Sequence, residues 1–510
     1  MKRRGVFAAL LLVLLLTAGT AFADDGPMDV TGTGGAVKPM KSTSIRMAAE
    51  TVQAICYSRF AEYKIDFVFD NSKASTQTVV LGFPFAGPWD SDDYYHPAAG
   101  FQAWQDGRPL TVTLKHGSEA EEPTDFYTHT AVFPPGESTI TVSYLIAPYT
   151  EGWVAPSAWA DEVQDRTPAV YEGEWIGPSS YDYTLHTGSY WAGPIGTAVL
   201  SWTLSDDFVG WGIADATRFA SELDTSDPET PPTPEQVAHS RIQTNYSIPA
   251  PGTYQWVFHS IEPSLIDGES PYDIGLQFLT PPADTEVADT SYPWPDTKAS
   301  SSLDLGDHKY PASNLVDGDP STAWAEGAKG SGIGQWVKVT PWDAHIVEEL
   351  RILPGYAKRP DLFAKYNRPK RLRFDFSDGT SKTVTLADSP TLQRFPVSAS
   401  IKSARVTILD VYRGTTRNET YISEIEFGAA AAPTFEDPGA LLAAAKSLPS
   451  ADSTPEVARL VSAAASASAS IALRTAKAPA APIEPGTPIG WSLLALVFLG
   501  AATIFWRMTD

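Results

Sequence analysis

Between residues 24 and 280 apolar and polar positions alternate in short runs rather than recurring every three or four residues. Tyr63, Ile65, Phe67 and Phe69 alternate with Lys64, Asp66 and Val68, the period of two that gives a strand two distinct faces. Asn71-Ser72 then turns the chain into Thr78-Val79-Val80-Leu81. Asp106-Gly107 predicts a tight hairpin between Phe101–Trp104 and Leu110–Leu114, and Phe133-Pro134-Pro135-Gly136-Glu137 predicts a turn into Thr139–Tyr144. Long amphipathic helical runs are scarce, and 42 Pro and 37 Gly punctuate the chain. The pattern predicts an all-β protein of two or more β-sandwich domains.

The two ends depart from this pattern. Lys2-Arg3-Arg4, the apolar run Val6–Leu16 and Ala21-Phe22-Ala23 form the three parts of a cleavable export signal over residues 1–23. Residues 489–506 are uncharged and apolar, with Trp491 and Trp506 towards the ends and Arg507 following. As a helix they would span about 27 Å, near the lower limit for crossing a bilayer. The expectation is a single-pass membrane protein with its body outside the cell and residues 507–510 as a cytoplasmic tail.

Charge divides the middle. Residues 24–290 hold 11 Lys or Arg against 38 Asp or Glu, net −27, whereas residues 291–428 hold 18 against 17, net +1. A chain of 37 basic and 61 acidic residues is not a general nucleic-acid binder, which needs cations in excess. A proline-bearing polar stretch, 281–298, reads as a linker, and the four prolines and four acids of 224–235 as a surface excursion. Residues 429–488, rich in Ala, Pro and Ser, read as a stalk leading to the membrane. Cys56 is the only cysteine, so no intrachain disulfide or all-thiolate metal site can form, and an exported chain without disulfides points to a bacterium.

Candidate chemistry in the acidic region is sparse. His96, His116, His129 and His186 are scattered without metal-ligand or triad spacing. Asp90, Asp92 and Asp93 could bind a cation or supply paired carboxylates, or form a solvated loop. Cys56, in the apolar run Ala54–Tyr57, reads as a buried inert thiol. No catalytic motif emerges, and the expectation is a protein without enzymatic activity. Tyr183-Thr184-Leu185-His186-Thr187-Gly188-Ser189-Tyr190-Trp191, with Gly193-Pro194-Ile195-Gly196 and the two predicted turns, resembles exported bacterial β domains of unknown function.

The segment 299–428 is richer. Tyr310-Pro311-Ala312-Ser313-Asn314-Leu315-Val316-Asp317-Gly318-Asp319-Pro320-Ser321-Thr322-Ala323-Trp324 is an apolar entry, an oxygen-rich turn and a core Trp. Gly334-Gln335-Trp336-Val337-Lys338-Val339, Leu350–Leu353 and Thr420–Phe427 follow as strands. Together these resemble the discoidin-like, coagulation factor type C (F5/8 type C) domain, a galactose-binding-like β-sandwich also used as a carbohydrate-binding module. Glu326-Gly327, Gly355-Tyr356-Ala357-Lys358, Tyr366-Asn367-Arg368-Pro369-Lys370, Asp388, Gln393-Arg394-Phe395 and Val411-Tyr412-Arg413-Gly414 bring the likeness closest to the glycan-binding domain attached to a bacterial NAD glycohydrolase toxin. That toxin's catalytic domain is missing here. The glycine run 327–334 lacks the Gly-Lys-Ser/Thr ending of a phosphate loop.

The resemblance implies two sites. One is a structural calcium held by the carbonyls of Asn314, Asp319 and Ser423, the carboxylates of Asp317 and Glu424, and Thr322 through its carbonyl and hydroxyl; a plain Asp-Gly turn without metal is the alternative. The other is a glycan site among Tyr356, Lys358, Tyr366, Asn367, Arg368, Tyr412 and Arg413, where aromatic rings stack on sugars and Arg and Asn bond hydroxyls; packing and turn roles are the alternative for each. Three functions follow: a membrane-anchored surface protein recognising a glycan or cell-wall polysaccharide; an extracellular hydrolase with the acidic region catalytic and the module targeting it; or a structural, partner-binding surface protein without a glycan ligand.

Overall fold

The computed structural model describes residues 26–31, 36–39, 44–84, 98–116, 125–150, 177–208, 211–213, 241–263, 272, 274–280, 296–341 and 345–453. The expected export signal 1–23, Asp90, Asp92, Asp93 and His96, the expected surface excursion 224–235, residues 281–295 of the expected linker, the expected stalk from 454 and the apolar run 489–506 lie outside them. Among the described residues no helix is long and apolar enough to cross a membrane. The structure is mostly β, with several sheets and few helices.

Three sheets build the acidic region. Seven strands run in the order Thr253–Ile261, Ile195–Leu204, Ile45–Cys56, Ala61–Asn71, Gly136–Ile146, Ala99–Gln105 and Arg108–Pro109, with one parallel pair between Ile195–Leu204 and Ile45–Cys56. Asp125–Phe133 and Gln77–Pro84 lie in a five-stranded sheet, and Gly177–Tyr183 and Ile274–Thr280 in a four-stranded one. Tyr63, Ile65, Phe67 and Phe69 are fully buried in the core these sheets share, as their alternation predicts. Phe69 packs on Trp191 with ring centroids 4.3 Å apart, which places the Tyr183–Trp191 element in the same core.

Asp106 and Gly107 both have positive φ, 48° and 75°, and join Ala99–Gln105 to Arg108–Pro109. The second arm is short, ending with the Leu110 amide donating to the Ala103 carbonyl at 2.8 Å. The chain instead carries Thr113–His116 to the five-stranded sheet. The Phe133–Gly136 turn likewise takes the chain from one sheet to another.

The module's five-stranded sheet has the order Asp296–Ala299, Trp336–Thr340, Ala404–Tyr412, Arg368–Phe376, Ser381–Thr385. Its four-stranded sheet has the order Trp324–Ala325, Tyr421–Gly428, His345–Pro354, Gln393–Ile401. Val337, Val339, Leu350, Ile352, Leu372, Phe374, Ile422 and Ile425 fill the core between them. Asp296–Ala299 pairs with Trp336–Thr340, so the module begins inside the expected linker 281–298.

The start of the expected stalk also belongs to the folded body. Residues 429–453 return along the acidic region, and the helix Pro438–Ala445, capped by Asp437, packs Leu441 and Ala445 against Val199 and Val257. The Ala451 amide donates to the Val257 carbonyl at 2.7 Å. The sequence allows a short helix over Leu441–Leu448, but its alanine-rich composition gave no sign that it packs on the body, since small side chains that let a helix lie close to a sheet also make a sequence look like a spacer.

The acidic region docks on the outer face of the module's four-stranded sheet. Ile55, Tyr57, Phe60 and Leu145 meet Leu353, Ala357 and Leu392 in one apolar cluster. Arg351, fully buried, donates to Glu349 (2.9 Å), Glu426 (2.8 Å), Asp207 (3.2 Å) and the Ala430 carbonyl (2.8 Å), with its guanidinium 4.6 Å from the Tyr57 ring centre. Arg394 donates to Glu62 at 2.6 Å and to the Tyr57 hydroxyl.

Candidate functional site

The oxygen-rich turn closes on itself. Gly318, at φ 76°, lets the chain reverse where other residues would be strained. The Thr322 hydroxyl donates to Asp317 at 2.8 Å and lies 3.2 Å from the Asp319 carbonyl and 3.5 Å from that of Asn314. Glu424, on the closing strand, accepts from the Gly318 amide at 2.9 Å. Asn314, Asp317, Asp319, Thr322 and Glu424 are thereby brought together. The Asp319 carboxylate turns away to accept from the Ser321 amide, and the Ser423 hydroxyl accepts from Ala357 N at 3.0 Å.

Burial, reinforced by Asp319, raises the Asp317 carboxyl to about 7, and burial beside Asp317 pushes Glu424 well above the usual range. Two buried carboxyls among main-chain oxygens suit a hard divalent cation. Among the described residues no group of three or more His, Cys, Asp or Glu is placed to hold a metal, so the fit depends on carbonyl ligands. One protein cation reaches the turn from the acidic region: Arg59 donates to the Val316 carbonyl and lays its stem over Gly318, where an added Cβ would meet Arg59 Cβ at 2.3 Å. Its charge favours ionisation of both carboxyls.

At one end of the sandwich four tyrosines pack together. The Tyr421 ring, fully buried, lies parallel to Tyr356 at 5.2 Å and 4.3 Å from Tyr366, with Tyr310 edge-on at 5.0 Å. Tyr310, Tyr356 and Tyr366 are half-buried. The surrounding loops are interlocked. Buried Glu326 accepts from Ala328 N (2.8 Å) and Thr420 N (3.3 Å), the Thr420 hydroxyl donates to the Ser331 carbonyl (2.9 Å), and the Thr415 amide donates to the Ala364 carbonyl (3.0 Å). Burial raises the Tyr356 and Tyr421 hydroxyls and the Glu326 carboxyl above their ordinary values.

The other expected glycan contacts occupy different places. Asn367 is fully buried, donating to the Asn418 carbonyl and accepting from Gly414 N at 2.8 Å. Arg368 grips Asp388 through two bonds of 2.9 and 2.7 Å, donates to the Tyr366 and Arg413 carbonyls, and stacks over Phe363. Both brace the loops from behind with their polar groups engaged inside the protein. Tyr412 donates to the Leu386 carbonyl at 2.9 Å, the Lys358 carbonyl accepts from Tyr127 of the acidic region, and Arg413 is exposed. Tyr310 and Tyr421 escaped the sequence reading. The signal for Tyr421 was hidden in a strand pattern, and only the bridges Gly355–Ile422 and Asn367–Thr420 bring these rings beside Tyr356 and Tyr366.

The paired five- and four-stranded sheets define a discoidin-like β-sandwich module. Residues 290–428 match the family described as the NAD glycohydrolase translocation F5/8 type C domain, as the motifs from Tyr310 to Phe427 suggest. Among solved structures the chain is similar to a putative nutrient binding protein from Legionella pneumophila (16% identity, 48% of this chain and 69% of that one, TM-score 0.31). It is also similar to the family 32 CBM of C. perfringens NanJ in complex with galactose (19%, 26% and 90%, 0.21) and to chitosan-binding module 1 of a Paenibacillus sp. IK-5 chitosanase/glucanase (20%, 26% and 93%, 0.19). No curated protein matches the chain.

Proposed function

We propose that this chain is a non-catalytic, membrane-tethered bacterial surface protein whose discoidin-like module binds a glycan at the tyrosine end. The observation that carries this is the set of half-buried Tyr310, Tyr356 and Tyr366 rings backed by buried Tyr421. Rigid aromatic rings offer apolar area to a sugar face at little entropic cost, and the interlocked loops hold them in place before a ligand arrives. A calcium ion held by Asn314, Asp317, Asp319, Thr322 and Glu424 would act structurally, tying the entry turn to the closing strand. The export signal directs the body across the membrane and residues 489–506 supply the tether.

Glycan-array binding by the full chain tests this. Tyr366→Ala should reduce binding by about tenfold or more, one stacking contact being worth roughly 1–2 kcal/mol. Arg368→Ala should instead lower the melting temperature, because Asp388 loses its partner. An array without signal, or undiminished binding by Tyr366→Ala, would remove the tyrosine end from consideration.

A further inference from the structure

The module's two sheets expose different outer faces, and the one left open by docking is basic. Along the five-stranded sheet Lys298 lies directly opposite Lys338, and Lys338 opposite Arg405, so three cations line up across three adjacent strands. Arg371 and Arg373 add two more on the neighbouring strand, where Leu372 and Phe374 point inward. All five are exposed. Their acidic neighbours are Asp296 at the edge, Asp375, which faces Arg405 and pairs with Arg373 at 2.7 Å, and Asp410, which lies opposite Arg371 in register and pairs with Lys370 at 3.5 Å. Among the described residues Lys298, Lys338 and Arg371 form no ion pair. The Arg405 guanidinium covers Trp336, 4.1 Å from the ring centre.

Like charges set directly opposite each other across strands destabilise a sheet. An anion lying across the row of three relieves that repulsion. The uncharged positions between the cations are largely hydroxyl-bearing: Ser300, Thr407, Thr383 and Thr385. We propose that this face binds an acidic polysaccharide of the polyuronate class, laid across the strands. Carboxylates pair with Lys298, Lys338 and Arg405 along the row and with Arg371, which flanks it four residues along the next strand from Asp375, and sugar hydroxyls bond the Thr side chains. The strands are spaced by about 4.8 Å, comparable to the one-charge-per-sugar repeat of such a chain. A duplex nucleic acid is a poorer match, since its dense phosphates would extend past this small patch into the field of a chain whose residues 24–290 carry net charge −27. A bilayer is also a poorer match, because Trp336 is covered and the face offers few apolar side chains for insertion. This site is separate from the tyrosine end and does not depend on it.

Binding of the full chain to polygalacturonate at low salt tests the proposal, with dextran, double-stranded DNA and phosphatidylglycerol vesicles as parallel arms. Wild type should bind polygalacturonate, release it as salt rises, and ignore dextran. The triple variant Lys338→Gln, Arg371→Gln, Arg405→Gln should bind on the order of a hundredfold more weakly, the loss expected when three surface cations leave an anionic partner. Its melting temperature should hold within a few degrees. Asp375→Asn, which frees Arg373, should bind severalfold more tightly, and keeps the test decisive if the triple variant folds poorly. Equal binding by wild type and both variants, no retention on polygalacturonate, or binding to DNA or vesicles as tight as to polygalacturonate would each overturn it.

Discussion

The two outer faces of the module's sandwich both carry arginines, and they use them in opposite ways. On the four-stranded sheet Arg351 and Arg394 are covered by the acidic region and bonded to Glu349, Glu426, Asp207 and Glu62, with Tyr57 against both guanidinium groups. On the five-stranded sheet Lys338, Arg371 and Arg405 stand in solvent, and two of them face another cation across the ladder. The same residue types on one fold thus serve as an internal joint where a partner domain supplies carboxylates, and as an open anion-attracting surface where none does. Burial decides the difference: a desolvated guanidinium must be fully paired, while a solvated one need not be.

The sharpest way to break this comparison is Arg351→Ala. It leaves three carboxylates around a dry site without their shared cation, and should destabilise the chain by about 3–5 kcal/mol in chemical denaturation. A loss comparable to that of an exposed substitution would show that the docked face is not a joint. The next effect concerns Arg59, the third arginine contact between the regions. Calcium near a hundredfold above its Kd should stabilise the chain by about 2.7 kcal/mol, measured as a rise in melting temperature that EDTA reverses. Arg59→Ala should enlarge the response by removing a competing charge. No response in either protein would mean that Asp317 and Glu424 only shape a turn.

A further effect is in pH. Burial raises Glu62 and Glu426 despite their arginines, and raises Glu50, hydrogen-bonded to Tyr183 in the core, to about 8. Each carboxyl binds its proton more tightly folded than unfolded, so its contribution is complete below about pH 4.5 and is lost as pH rises through the folded value. The denaturation midpoint should therefore fall between pH 5 and pH 8, at up to roughly 1.4 kcal/mol per unit for each such group. Glu50→Gln and Glu426→Gln should flatten that slope. An unchanged slope in both would place the protons elsewhere.

Much of the local structure was legible in the residues. The alternation at Tyr63–Phe69, the Asp106-Gly107 turn and the ordered motif from Tyr310 to Trp324 each act over a few positions, where side-chain period and backbone strain decide the outcome. The placement of the residues expected to contact a glycan was legible only in part. Tyr356 and Tyr366 sit at the tyrosine end, but Asn367 and Arg368 lie behind it, since a motif lists neighbours in sequence and does not say which side of a loop each side chain occupies.

The sequence by itself determined the β class, the charge division and the oxygen-rich turn, because these depend on composition and short-range pattern. Only the tertiary structure decided that residues 429–453 return to the acidic region, that Arg59 reaches the turn, that Tyr310 and Tyr421 join Tyr356 and Tyr366, and that one sheet face is docked while the other is open. Each of these pairs residues tens to hundreds of positions apart, and such contacts are selected by the burial of whole faces against one another, which no local pattern records.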